Sequence, residues 1–222
     1  MTSPPPFFQR VGTEAPHDTP VPPPPFFHCE RGYGFRKLEQ VDLPILSELK
    51  AETWQDTHNA TIANTEDQRD WFLRSQTDVN QPSSLFLSFV CGDDKVHGFY
   101  KIVNINYINR SADVGWDLVP EARGQGLGTI LVHEGAAFCF EMLNLRRLSA
   151  EILITNMMSQ RCAQKAKFVV EGVKRQAVYA RGEGFAENYV DSQMWGLLRE
   201  DFNKSFAISQ TKIDRAKSGV RQ

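Results

Sequence analysis

Three glycines in five residues, Gly124, Gly126 and Gly128, separate a β-rich run that closes at Pro120 from an apolar run of helical period. They belong to the segment Arg123-Gly-Gln-Gly-Leu-Gly-Thr129. A strand that passes through such a turn into a helix exposes backbone N–H groups at the positive end of the helix dipole, which makes an anion site. Glycine keeps side chains out of the anion's way. Spacing then narrows the choice of anion. A dinucleotide fingerprint opening at Gly126 needs its third small residue at Leu131, and one opening at Gly124 needs it at Thr129. Neither position carries Gly or Ala. A P-loop ends in Gly-Lys-Ser/Thr, and the chain has no such ending here. The pattern left is Arg/Gln-x-x-Gly-x-Gly/Ala, met by Arg123, Gly126 and Gly128.

The flanks give this turn a setting. Leu85 to Val90, Val96 to Ile105 and Ala112 to Val119 are β-rich runs broken by Gly92-Asp-Asp94 and Asn109-Arg-Ser111, which reads as an antiparallel meander. After Pro120 the period becomes 3.6, with Leu127, Ile130, Leu131, Phe138 and Met142 on one helix face. Upstream, Tyr33 to Leu38 reads as a strand and Leu43 to Trp54 as a helix. Thr65-Glu-Asp-Gln68 is a capping-box signature for a further helix through Trp71 and Phe72. Downstream, Leu148 to Ile154 is an apolar strand, Ser159 to Lys167 a short helix, and Phe168 to Arg175 and Tyr189 to Leu198 two last strands. The class is α+β, a mixed, mostly antiparallel sheet of about seven strands flanked by helices in a single domain.

Composition removes other classes. Apolar residues make up 41% of the chain, enough for a globular core, and a net charge of -2 gives no field that recruits nucleic acid or an anionic membrane. Cys29, Cys91, Cys139 and Cys162 stand far apart without a CxxC pair, so neither a metal site nor a disulfide framework is expected. No apolar run reaches membrane-spanning length, and the expected compartment is the reducing cytoplasm. Nine of the 12 prolines fall within the first 25 residues, where Pro4-Pro-Pro-Phe-Phe8 recurs as Pro23-Pro-Pro-Phe-Phe27. Residues 1–30 therefore read as a proline-rich arm. It is either a leader or a strap packed by its Phe pairs onto the domain or a partner subunit, the latter compatible with a homodimer. The domain spans 31–202, and 203–222 is a peripheral tail.

Several motifs in order resemble the GCN5-related N-acetyltransferase (GNAT) superfamily, in its ribosomal-protein-alanine acetyltransferase-like branch. Besides the glycine pattern, Ala112-Asp-Val-Gly-Trp-Asp-Leu-Val-Pro120 is similar to the branch's strand before the glycines. Asn156, Ser159, Lys165, Phe168 and Glu171-Gly172 match its downstream pattern. The resemblance implies the GNAT fold and acetyl-coenzyme A as co-substrate, with no metal. It implies that Arg123, Gly124, Gln125, Gly126, Leu127, Gly128 and Thr129 hold the pyrophosphate. Leu118 and Val119 would pair with pantetheine, and Asn156 would contact that arm. Two positions depart from the branch: Lys167 stands where a glycine is usual, and Ala163 where many members carry a tyrosine acid.

The implied reaction moves acetyl from the thioester to a primary amine of a small molecule or a protein N-terminus, by direct attack in a ternary complex. A free alkylamine has a pKa near about 10, so a base or a water wire must take its proton. Ser159 is the candidate acid beside the sulfur, its alternative reading being a helix N-cap. Asp113 and Asp117 share a strand face with Gly115 and are the candidate bases, with salt bridging as the alternative. His133 and Glu134 read as packing or solvent-facing residues. Trp54, together with His58 and Asn59 of the loop 55–64, is a candidate acceptor-lining residue, as are those two, the alternative being that Trp54 belongs to the core and the loop is a surface turn. The competing function is a non-catalytic acyl-coenzyme A-binding or scaffold module, favoured by the absence of the tyrosine.

Overall fold

A computed structural model of the chain describes residues 26–28, 32–53, 83–92, 94–181 and 187–204. The arm before Phe26, Trp54, His58, Asn59, the helix expected from Thr65 and the tail beyond residue 204 lie outside the described residues. The strands are β1 (Phe26–His28), β2 (Tyr33–Lys37), β3 (Leu85–Cys91), β4 (Val96–Asn106), β5 (Ser111–Leu118), β6 (Arg147–Leu153), β7 (Val169–Arg181) and β8 (Glu187–Leu198). They form one sheet in the order β1-β2-β3-β4-β5-β6-β8-β7. The helices are α1 (Leu43–Thr53), α2 (Leu127–Glu141) and α3 (Met157–Lys165).

The mixed, mostly antiparallel sheet is the expected one, with eight strands where about seven were read. The addition is β1. It begins at the first residue after Pro25, where the chain regains backbone N–H groups and can build a ladder. Phe26 then lies opposite Arg36, and His28 opposite Gly34.

Among the described strands only β5 and β6 run parallel, and they pair over Ser111–Asp113 and Arg147–Ser149. Parallel neighbours need a long crossover, which α2 supplies. Beyond that short ladder β5 stays with β4 as far as Leu118, while β6 stays with β8 as far as Leu153. The sheet therefore splits between the C-terminal ends of β5 and β6.

Each face of the sheet has its own core. Leu131, Val132, Ala136 and Phe138 of α2 pack with Phe89, Tyr100, Ile102 and Leu148. On the other face Leu43, Leu46 and Leu49 of α1 pack with Val90, Val96 and Phe99. Covered on both sides, β3 is apolar at every position but Ser88 rather than alternating. The helix α2 sits hard against β4: a Cβ on Gly135 would lie 2.4 Å from the Tyr100 ring.

The end of α3 answers the Lys167 departure. Lys167 takes a left-handed φ of 75°. Its N–H donates to Gln164 O, and Phe168 N–H donates to Ala163 O, each at 3.0 Å. This is the Schellman closure that ordinarily uses glycine. Here a lysine adopts the glycine conformation, and the helix end keeps its shape.

Candidate active site

The glycine turn enters α2 in the manner its spacing requires. Gly124 and Gly126 have φ of 74° and 81°, which L side chains rarely tolerate, and Gly126 is the N-cap of α2. Gly128 serves a different need: a Cβ there would stand 2.9 Å from Cys162 Sγ on α3. The turn is fastened from outside. Arg123 Nη1 lies 2.8 Å from Glu52 Oε1 of α1, and its Nε donates to Leu118 O at 3.2 Å. Gln125 Nε2 donates to Glu121 O at 2.6 Å, and Thr129 N–H to Gly126 O at 3.2 Å. In this structure the side chains of Arg123 and Gln125 thus brace the turn.

The split between β5 and β6 opens as a cleft. Its walls are Val114, Gly115 and Trp116 of β5, Ala150 to Leu153 of β6, Asn156 and Ser159 at the start of α3, and Lys101 of β4. Val119 N–H donates to His97 O at 3.1 Å across β4. Antiparallel alternation then turns the peptide groups of Val114, Trp116 and Leu118 away from β4; the Asp113–Ser149 step of the parallel ladder takes Val114 N–H, which leaves Val114 C=O, both groups of Trp116 and Leu118 N–H on the cleft side. With Val119 N–H and Leu118 O engaged, Val114 C=O, Trp116 and Leu118 N–H present the β5 edge that a bound chain would meet. Trp116 Nε1 is buried without an acceptor among the described residues.

Asn156 is the N-cap of α3, its Oδ1 accepting from Ser159 N–H at 3.0 Å. The capping role considered for Ser159 therefore falls to Asn156, and Ser159 sits in the first turn, in the cleft wall. Asp113 is exposed and accepts from Asn104 Nδ2 at 2.8 Å, beside the short parallel ladder. Asp117 is half-buried and faces Lys50 of α1. Neither aspartate lines the cleft. His133 packs its ring 4.9 Å from that of Phe202, with Nδ1 3.0 Å from Glu134 Oε1, as a packing residue would.

Two cleft residues escape sequence reasoning. Glu151 is a carboxylate in the β6 wall, where Oε1 accepts from Ser192 Oγ and Oε2 lies 2.7 Å from Lys174 Nζ. Lys101 reaches the cleft from β4 with its stem laid over Gly115, since a Cβ on that glycine would stand 2.2 Å from Lys101 Cε. The available signal was that each is a lone charge within an apolar strand run. Burial pushes the thiols of Cys139 and Cys162 up, so neither is poised as a thiolate nucleophile. Among the described residues no group of His, Cys, Asp and Glu is placed to hold a metal, and no helix is long and apolar enough to cross a membrane.

Comparisons with known proteins agree with this geometry. YdaF of Bacillus subtilis (strain 168), whose name assigns it provisionally as a ribosomal N-acetyltransferase, is 27% identical over 164 residues, covering 66% of this chain and 83% of YdaF. Spermidine N(1)-acetyltransferase of Vibrio cholerae serotype O1 is 29% identical over 75 residues, 34% of this chain and 43% of that protein. The crystal structure of spermidine N-acetyltransferase from Vibrio cholerae, in complex with CoA and spermine, superposes with a TM-score of 0.70 at 19% identity, over 77% of this chain and 98% of that one. This likeness shows the shared fold. The family described as acetyltransferase (GNAT) domain matches residues 34–169. With that match over most of the chain, and with the split sheet and glycine turn in place, the chain belongs to the GNAT acetyltransferase family.

Proposed function

We propose that this chain transfers acetyl from acetyl-coenzyme A to a primary amine by direct attack in a ternary complex, within the split between β5 and β6. The observation that carries this reading is the left-handed glycine turn between β5 and α2, packed through Gly128 against Leu118 of β5 and Cys162 of α3, the helix whose first turn walls the split. Backbone N–H groups of the turn suit a pyrophosphate, and Val114 C=O, the Trp116 peptide groups and Leu118 N–H suit an extended amide-bearing arm. The buried Trp116 Nε1 is a further donor for a ligand carbonyl. Acetyl-coenzyme A supplies the activated thioester, and no protein nucleophile is required.

Ser159, in the cleft wall, donates a proton toward the departing thiolate. For the base, the location of the carboxylates favours Glu151 over Asp113 and Asp117, because Glu151 alone among them lines the cleft. It takes the amine's proton through water, with Ser192 and Lys174 holding its carboxylate in position. The donor supports a cytoplasmic setting. The domain 31–202 carries the activity, with the arm 1–30 and tail 203–222 outside it. Named relatives act on a polyamine in one case and are assigned to ribosomal protein in another, so acceptors of both kinds belong in the assay panel.

Calorimetry with acetyl-coenzyme A tests the cradle. Wild-type protein should bind saturably, and Gly126→Val, which has room for the side chain but not the backbone angle, should not. Equal binding by a folded variant would remove the cradle assignment.

A further inference from the structure

The acceptor's own chemistry can be taken further, on the reading that acetyl transfer occurs in this cleft. Lys101 lies on β4, one strand away from the split, opposite Gly115 of β5. Only a glycine lets a side chain from the neighbouring strand lie flat across that position: a Cβ on Gly115 would stand 2.2 Å from Cε, 3.1 Å from Cγ and 3.2 Å from Cδ of Lys101. The lysine stem is thereby directed over β5 and its head into the cleft wall. Among the described residues Lys101 makes no ion pair.

The surrounding charges do not favour a polycation. From α1, Lys50 faces both Lys101 and Asp117; burial and the Lys101 charge push Lys50 down to about 8, while Asp117 acts the other way. Across the cleft, the Glu151 carboxylate is already matched by Lys174. Of the two charged groups that line the cleft, Glu151 is thus matched by Lys174, while Lys101 has no ion-pair partner among the described residues. A chain of ammonium groups entering here would meet like charge in a partly desolvated setting, where repulsion is poorly screened.

We propose that the Lys101 ammonium, delivered across Gly115 into the cleft, binds an anionic group of the acceptor, so that the substrates are amines bearing a carboxylate or phosphate rather than polyamines. Charge-assisted contact to such a group would hold the amine end toward the thioester and select against neutral and polycationic amines.

The test is a thiol-release assay on the full chain with acetyl-coenzyme A and matched amines. The pairs are β-alanine with its amide and phosphoethanolamine with ethanolamine, and spermidine is the polycation. The two pairs separate carboxylate from phosphate as the recognised group. The anionic member of at least one pair should exceed its neutral counterpart and spermidine by about tenfold or more in kcat/KM. In Lys101→Met, which keeps the stem, that ratio should fall toward one through KM, and Lys101→Arg should restore it in part. Spermidine preferred by the wild type, or a Lys101→Met loss in kcat shared equally by neutral and anionic amines, would overturn the proposal and leave acetyl transfer in the cleft intact. Turnover of no amine would overturn both.

Discussion

Arg36 of β2 grips both oxygens of the Asp42 carboxylate, at 2.6 and 2.9 Å, in the short connection that leads into α1. Asp42 is 2% exposed, and its Oδ2 also accepts from Ser88 Oγ at 2.7 Å and Glu39 N–H at 3.0 Å. Arg36 Nε reaches on to Asp94 Oδ1 at 2.7 Å, so one guanidinium ties β2, the head of α1 and the β3–β4 turn together. A buried carboxylate is tolerated only when its oxygens are met in this way.

Acid should therefore loosen the entry to α1 first. Burial alone would raise Asp42, but the Arg36 guanidinium, the Glu39 amide and the Ser88 hydroxyl together hold it below the usual carboxylate range. A lowered folded-state value means that the stabilisation is complete above the unfolded value, near about 3.9, and is lost as pH falls through the folded one. Thermal unfolding measured from pH 6 to pH 2 should show a steep loss of Tm below pH 4 that Asp42→Asn flattens. At neutral pH, Arg36→Met should cost about 3–5 kcal/mol by leaving the carboxylate buried and unmatched. A neutral-pH loss within the range of ordinary surface substitutions would show that the pair is not structural.

The left-handed lysine at the end of α3 predicts a stabilising substitution. Lys167→Gly should relieve the φ of 75° while keeping the Schellman bonds. Strain relief of about 1–2 kcal/mol is partly offset by the extra entropy of an unfolded glycine, leaving a gain of about 0.5–1 kcal/mol in urea unfolding. Destabilisation would mean that the lysine side chain makes a contact worth more than the strain.

Proton transfer should separate Glu151 from the aspartates. Glu151→Gln should lower kcat by about a hundredfold or more while acetyl-coenzyme A affinity is retained, and Ser159→Ala should lower kcat less, because a thiolate is a good leaving group. Asp113→Asn should leave kcat near wild type, since this carboxylate is exposed beside Asn104. A large loss in Asp113→Asn with none in Glu151→Gln would return the base to β5.

What the sequence determined by itself is local. The glycine turn could be read because positive φ and a helix N-terminus depend on a handful of consecutive residues. The strand runs and long helix could be read because their periods repeat within one segment. Even the Lys167 departure was visible as a residue type out of place. The tertiary structure decided what depends on residues far apart in the chain. Lys101 and Glu151 lie 50 positions apart on non-adjacent strands, and they line one cleft because β5 and β6 pair briefly and then part. Which residue capped α3 depended on how Asn156 turned its side chain back onto Ser159 N–H. Asp113 was placed on the right face by alternation, yet its distance from the cleft was set by where the parallel ladder ended. Periodicity assigns a residue to a face, but only sheet order and register decide what stands across from it.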